Sequence, residues 1–229
     1  MGTSEVGGRA WAGLVAGLLA AAAGVVGVGG VAGCQSATIA VWERLGYAKR
    51  EQLVEKVQEA RDSQQEAKEK FASALEQFQA MTGFSGGELE GQFRKLQREF
   101  ERCKTAAEDV GERIGKTEGV ASALFREWEA ELTQYSDGAM REKSEGQLRD
   151  TRRLYEKLVG AMRQAEGKMK PVLTAMNDRV LYLKHNLNAA AIASLSGDVK
   201  MIEGDVSRLI AEMNQSIAEA DAFISQMKR

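Results

Sequence analysis

The residues with the clearest chemical potential are Val31-Ala32-Gly33-Cys34. Three small or aliphatic residues before a cysteine are typical of a bacterial lipoprotein signal, because small side chains let the segment lie extended in a signal peptidase. The cysteine thiol can then accept a diacylglyceryl group. The motif predicts that residues 1–33 are a cleaved signal peptide and that Cys34 is the lipidated first residue of a single helical domain over residues 34–229.

The segment before Cys34 permits a second interpretation. Its apolar run, from Ala10 to Gly33, is long enough to span a membrane as a retained helix. Glycines become frequent toward Cys34 and weaken a helix there, which favours cleavage. Gln35 follows the cysteine, and similarity to Gram-negative lipoproteins then favours the inner leaflet of the outer membrane, facing the periplasm. The alternative is an inner-membrane protein that keeps residues 10–33 as its anchor.

Other candidates for chemistry are weaker. The stretch Gly111–Thr117 resembles a phosphate loop, but it is one residue short between its glycines and lies on a helical seam with no strand before it. His185 is the only histidine, and no residues near it complete a zinc site or a catalytic triad. We therefore expect no enzyme activity, cofactor, metal or nucleotide. The net charge of −2 argues against a nucleic-acid partner.

Helices must carry these residues, because the chain has a single proline and many of its 24 glycines precede Cys34. A short helix over Ser36–Leu45 is expected to stop at Gly46, and Pro171 to kink or distort a later helix. Apolar residues then recur at alternating spacings of four and three, which is typical of coiled-coil-like packing. The apolar seams run over Leu53–Met81, Leu89–Tyr135, Leu148–Leu183 and Ile192–Ile224.

These seams predict an all-α fold, an elongated antiparallel coiled-coil-like bundle of four helices in up-down-up-down order. Turns are expected at Thr82–Gly87 and Ser136–Gly138. The third helix could end at His185–Asn188, where asparagines can close one helix and cap the next, or at Ser196–Asp198. Matching helix lengths favour His185–Asn188.

Two single-residue features lie on the second helix. Cys103 occupies an apolar seam position, which predicts a small buried side chain and not a reactive thiol. Gly115 is expected to lie at the same level as Gly46 and Gly160. This coincidence predicts either a layer where helix backbones approach closely or a bend in the rod.

Eight short motifs, spread along the chain, occur together in one known family. They are Trp42–Gly46, Ala60–Asp62, Phe71–Glu76, Glu127–Glu129, Gln134–Ser136, Met169–Leu173, Leu183–Asn188 and Glu219–Ile224. Through them the chain resembles the proteobacterial lipoproteins grouped as domain of unknown function 2959. The resemblance covers nearly all of residues 34–225 and implies a lipid-anchored protein. It brings no known activity and no catalytic residues.

With Cys34 at the membrane, the first and third turns should share the far end of the rod. We expect a partner-binding tip there, comprising an exposed Phe84, His185, Asn186 and Asn188. The alternative is that the two asparagines only cap helices. The pattern as a whole indicates a structural or adaptor protein of the cell envelope, with the membrane and an envelope protein as partners.

Overall fold

A computed structural model describes residues 34–84 and 88–228, with side chains from Lys49 onward. This part of the chain forms four helices and no strand, so the predicted all-α bundle is confirmed. The signal peptide, the Cys34 side chain and residues 85–87 lie outside the described residues. The helices are α1 (Cys34–Thr82), α2 (Leu89–Leu132), α3 (Gly138–His185) and α4 (Ala189–Met227).

Each helix packs against two neighbours: α1 and α3 both contact α2 and α4. Paired residues run in opposite chain directions along every neighbouring pair, so neighbouring helices are antiparallel. On α1 and α2, the Ser73 hydroxyl donates to Glu99, and the Thr117 hydroxyl donates to the carbonyl of Lys56. Between α1 and α4 the same reversal is seen in the pairs Lys68–Asn214 and Arg61–Asp221. Between α2 and α3 it is seen in Trp128–Ser144 and Glu118–Arg163. Between α3 and α4 it is seen in Arg179–Asp198 and Lys157–Glu219.

The predicted apolar seams form one continuous core along the bundle, except at Tyr135, which lies beyond the end of α2 and is exposed. Side chains at alternating spacings of three and four lie on one face of a helix, and burial of that face against two neighbours stabilises the bundle. Phenylalanines and leucines fill parts of this core, and the smaller side chains of Ala60, Ala67 and Ala165 are fully buried at other positions. The largest fully buried side chains include Phe71, Phe78, Leu96, Ile114, Leu158, Met162, Met176 and Leu183.

Side-chain caps set the later helix boundaries. The Asp137 carboxylate accepts hydrogen bonds from the backbone N–H groups of Ala139 and Met140 at the start of α3. Asn188 caps α4 in the same way, accepting from Ala191 at 2.9 Å. The third helix therefore ends at His185, as helix length favoured, and the competing segment 196–198 lies inside α4.

Gly46 does not interrupt the first helix, so that prediction was wrong. The helix α1 runs without a break from Cys34 through Gly46 to Thr82. A single glycine inside a helix costs only about 1 kcal/mol relative to alanine. The long helix that continues past it, packed on α2 and α4, outweighs that amount.

Pro171 lies inside a helix that continues on both sides of it, because α3 runs from Gly138 to His185. A proline has no N–H to donate and its ring crowds the carbonyl four residues earlier. That earlier residue is Gly167, whose missing side chain leaves the backbone free to adjust.

Within the described residues, no helix is both long enough and apolar enough to cross a membrane.

Candidate interaction surfaces at the two ends of the bundle

The antiparallel packing places the three turns at two ends. The end that carries the α1–α2 and α3–α4 turns is called the tip below. The end that carries the α2–α3 turn, the start of α1 and the end of α4 is called the base. The structure therefore brings residues 84 and 185–188 to one end of the molecule and the first residue of α1 to the other.

Phe84 is partly buried, so the expectation of an exposed phenylalanine was wrong. Its backbone N–H donates to the carbonyl of Met81 at 3.2 Å, which closes the turn after α1. Because the Phe84 side chain is partly buried, the area of its ring that is available to a partner is smaller than expected.

Asn186 and Asn188 are exposed, and their polar groups serve the helix ends. The Asn186 side chain and backbone N–H both donate to the carbonyl of Tyr182, at 3.1 and 3.0 Å. Asn188 supplies the cap of α4. The capping alternative thus accounts for the contacts that both side chains make.

His185 is the last residue of α3 and is exposed at the tip. Across the described residues, no group of three or more His, Cys, Asp or Glu side chains is placed to hold a metal ion.

Large exposed hydrophobic side chains are a feature that the sequence analysis missed. Leu181, Tyr182 and Met201 lie toward the tip, with 47, 46 and 59% of their surface exposed. Tyr135 and Met140 lie at the base. Leu181 and Tyr182 stand between the buried seam residues Val180 and Leu183, so they fall outside the apolar face of α3. Their positions off the apolar face were the sequence signal from which their exposure could have been predicted.

The shaft between the two ends is covered with ion pairs between helices. Arg163 binds Glu118 on α2 through two nitrogens and also binds Glu166 on its own helix. The hydrogen bonds that Arg163 donates to the Glu118 carboxylate lower the pKa of Glu118 and raise the pKa of Arg163. Both side chains are about two-fifths exposed, so the pair contributes little to stability in water. Such pairing favours alignment of the helices over recognition of a ligand.

The resemblance of Gly111–Thr117 to a phosphate loop has no counterpart in the backbone, because the stretch lies wholly inside α2. Its basic residues pair with nearby acids: Arg113 with Glu59 and Asp109, and Lys116 with Glu112. Backbone N–H groups in a helix interior bond to the preceding turn and cannot converge on a phosphate.

Of the glycines at the predicted common level, Gly115 and Gly160 do not bring backbones together. A methyl group added at Gly115 or Gly160 would have no neighbour within 4 Å, and both residues are exposed. The close-packing version of the prediction is therefore wrong. Gly111 has a different environment, because a Glu166 carboxylate oxygen lies 2.7 Å from where its methyl group would be.

Cys103 is fully buried on α2, as its seam position predicted. Burial raises the pKa of its thiol to about 12, because the interior disfavours a thiolate. A neutral buried thiol behaves as a small apolar side chain.

Three helices are joined at the base around Trp128. Its indole N–H donates to the Ser144 hydroxyl on α3 at 2.9 Å, and the guanidinium of Arg50 on α1 lies 5.9 Å from the ring centre. Next to it, Glu127 forms an ion pair with Lys49. Burial, followed by the charge of Glu127, raises the pKa of Glu131. These contacts join the end of α2 and the start of α3 to α1 at Lys49 and Arg50.

The family model described as "Protein of unknown function (DUF2959)" matches residues 39–227, which covers nearly the whole described bundle. The chain belongs to this family. No curated protein matches the chain. The matched region begins at residue 39 in α1 and includes almost all of the four helices.

Proposed function

We propose that this protein is a lipid-anchored helical rod that faces the periplasm and serves as a structural or adaptor protein of the cell envelope, without catalysis. The motif Val31-Ala32-Gly33-Cys34 carries most of the proposal, and the structure describes α1 from Cys34 onward. An anchor at that residue would pass directly into the rod with no intervening linker. Gln35 favours the outer membrane as its location.

The geometry supports a working surface at the tip. Because α1 starts at the base, a lipid on its first residue leaves the tip as the far end. The 48 residues of α3 place the two ends roughly 70 Å apart. Leu181, Tyr182 and Met201 supply exposed apolar area toward that end, and apolar side chains of this size are what a protein partner can bury.

The predicted tip residues take different parts in this surface. Asn186 and Asn188 shape the turn through their caps, and His185 contributes an exposed polar side chain beside them. Phe84 adds its exposed portion from the neighbouring turn. The partner, an envelope protein, would contact Tyr182 and the turn together.

The anchor is tested by feeding cells a clickable fatty acid. The wild-type protein should label, and Cys34→Ser should not label and should accumulate as a precursor of higher mass. Equal labelling of both would contradict the proposal. An unlabelled wild type that stays in the inner membrane would instead support the alternative, an anchor formed by residues 10–33.

The tip is tested with photo-crosslinking amino acids at Phe84, Tyr182 and Asn186. Positions Arg149 and Lys157 on the shaft serve as matched controls, because both are exposed. Crosslinks to one envelope protein from the tip positions, and none from the shaft, are expected. Crosslinks confined to the shaft would contradict an adaptor that works through its tip.

A further inference from the structure

The base of the bundle exposes two large apolar side chains beside the point where the anchor joins. Tyr135 lies in the α2–α3 turn with 42% of its surface exposed, and Met140 lies in the first turn of α3 with 62% exposed. A methionine and a tyrosine at one turn expose apolar area that water solvates poorly. A lipid surface is the environment in which such a pair is commonly stable.

Met140 is exposed because α4 ends before reaching it. Lys157 on α3 pairs with Glu219 on α4. From that level α4 continues only to Met227, about 12 Å, whereas α3 continues to Gly138, about 28 Å. Met140 lies one turn before Ser144, on the face that is buried further along α3, but no helix covers it from the side of α4.

The chain itself supplies the reason to place a membrane at this end. The apolar run Ala10–Gly33 directly precedes Cys34, the first described residue of α1, and this part of α1 lies at the base. From the contact of Thr117 with Lys56, α1 continues for about 33 Å to Cys34 and α2 for about 22 Å to Leu132. A lipid on Cys34 and a retained helix over residues 10–33 would both bring the bilayer to within about 10 Å of the α2–α3 turn. The two interpretations of the leader therefore agree on which end of the bundle faces the lipid.

We infer that the α2–α3 turn contacts the bilayer at the level of the headgroups, through the Tyr135 ring and the Met140 side chain. The inference rests on the proposed function for the anchor. Tyrosine suits this position because its ring is apolar and its hydroxyl can bond to headgroups or water. This contact would limit how far the rod tilts and so keep the tip away from the membrane.

The charge around the turn indicates which lipids it accepts. Between Thr133 and Lys143, the acids Asp137 and Glu142 balance the bases Arg141 and Lys143. A segment without net charge gains nothing from anionic lipids, unlike a polybasic segment. Contact should therefore form equally well on zwitterionic phospholipid.

Two side chains are too few to hold a protein on a membrane alone, so the contact depends on the anchor. Tethering raises the local concentration of the turn at the bilayer and converts a weak contact into an intramolecular one. The test must use the full chain processed in cells. Purified protein would be placed in phosphatidylcholine vesicles, with a photo-crosslinking amino acid at position 135 or 140.

Matched controls are positions 182 and 201, which carry exposed hydrophobic residues toward the tip. Mass spectrometry should find phosphatidylcholine adducts at 135 and 140 at least fivefold more often than at 182 and 201. Adducts that are equally frequent at all four positions, or absent at 135 and 140 in acylated protein, would overturn the inference while the anchor stands. Adducts at 135 and 140 in a chain that keeps residues 10–33 would support the contact between the α2–α3 turn and the bilayer, and they would contradict the lipidated anchor.

Discussion

At the scale of single residues, the polar pair inside the core stands out. Gln64 and Ser216 are both fully buried, and the serine hydroxyl donates to the glutamine side-chain carbonyl at 2.7 Å. The glutamine Nε2 has no partner within the described residues. In the sequence, Gln64 is a polar residue at a seam position of α1 between Ala60 and Ala67. The sequence could not identify its partner 152 residues away, because that pairing depends on the register of α1 against α4.

Ser216→Ala should destabilise the bundle by about 1–3 kcal/mol, because the buried carbonyl of Gln64 loses its donor. The double variant Gln64→Leu with Ser216→Ala should recover that loss or exceed the wild type, because no polar group stays unpaired. Urea unfolding of both single variants and the double variant gives the coupling between the two sites. A double variant less stable than Ser216→Ala would contradict this account.

Gly115→Ala should stabilise the protein by up to about 1 kcal/mol, because alanine favours the helix and the added methyl meets open space. In a chain of this size, 1 kcal/mol moves the thermal midpoint by roughly 2–4 °C. Gly111→Ala is the matched contrast, since its methyl would displace the Glu166 carboxylate and should give a smaller gain. Destabilisation by Gly115→Ala would revive close packing at this level.

At the scale of helices, Pro171 is the residue that fits its surroundings least well. Pro171→Ala should restore a backbone hydrogen bond to Gly167 and stabilise α3 by about 1–3 kcal/mol, after allowing for greater freedom of the unfolded chain. Lys170→Ala is the control, because that exposed neighbour should change stability by less than about 0.5 kcal/mol. Chemical unfolding monitored by circular dichroism would measure both. No change, or a loss, on replacing Pro171 would contradict this view of α3.

The helix pattern was largely predictable, and the reason is local. Apolar residues at spacings of three and four define α2, α3 and most of α1 and α4, and the asparagines at 186 and 188 mark one boundary. The stop expected at Gly46 failed because the breaking tendency of a single glycine is small beside the packing of a long helix. Local propensity decides such positions only when packing does not.

At the scale of the whole molecule, the candidate surfaces were harder to predict than the fold. The sequence suggested which turns form the tip but not which side chains are exposed there. The sequence did not single out Leu181, Tyr182 or Met140 as exposed, because exposure depends on where neighbouring helices end. For Phe84 the predicted exposure was too high, because its side chain is partly buried. Helix length and stagger are properties of the assembled bundle.

The lipid anchor on Cys34 is tested most directly by the N-terminal peptide of the protein taken from cell membranes. Mass spectrometry should find a mature chain that begins at Cys34 and carries an acylated glyceryl group on the cysteine sulfur. No peptide from residues 10–33 should be present. A continuous peptide from that segment through an unmodified Cys34 would contradict the lipidated anchor.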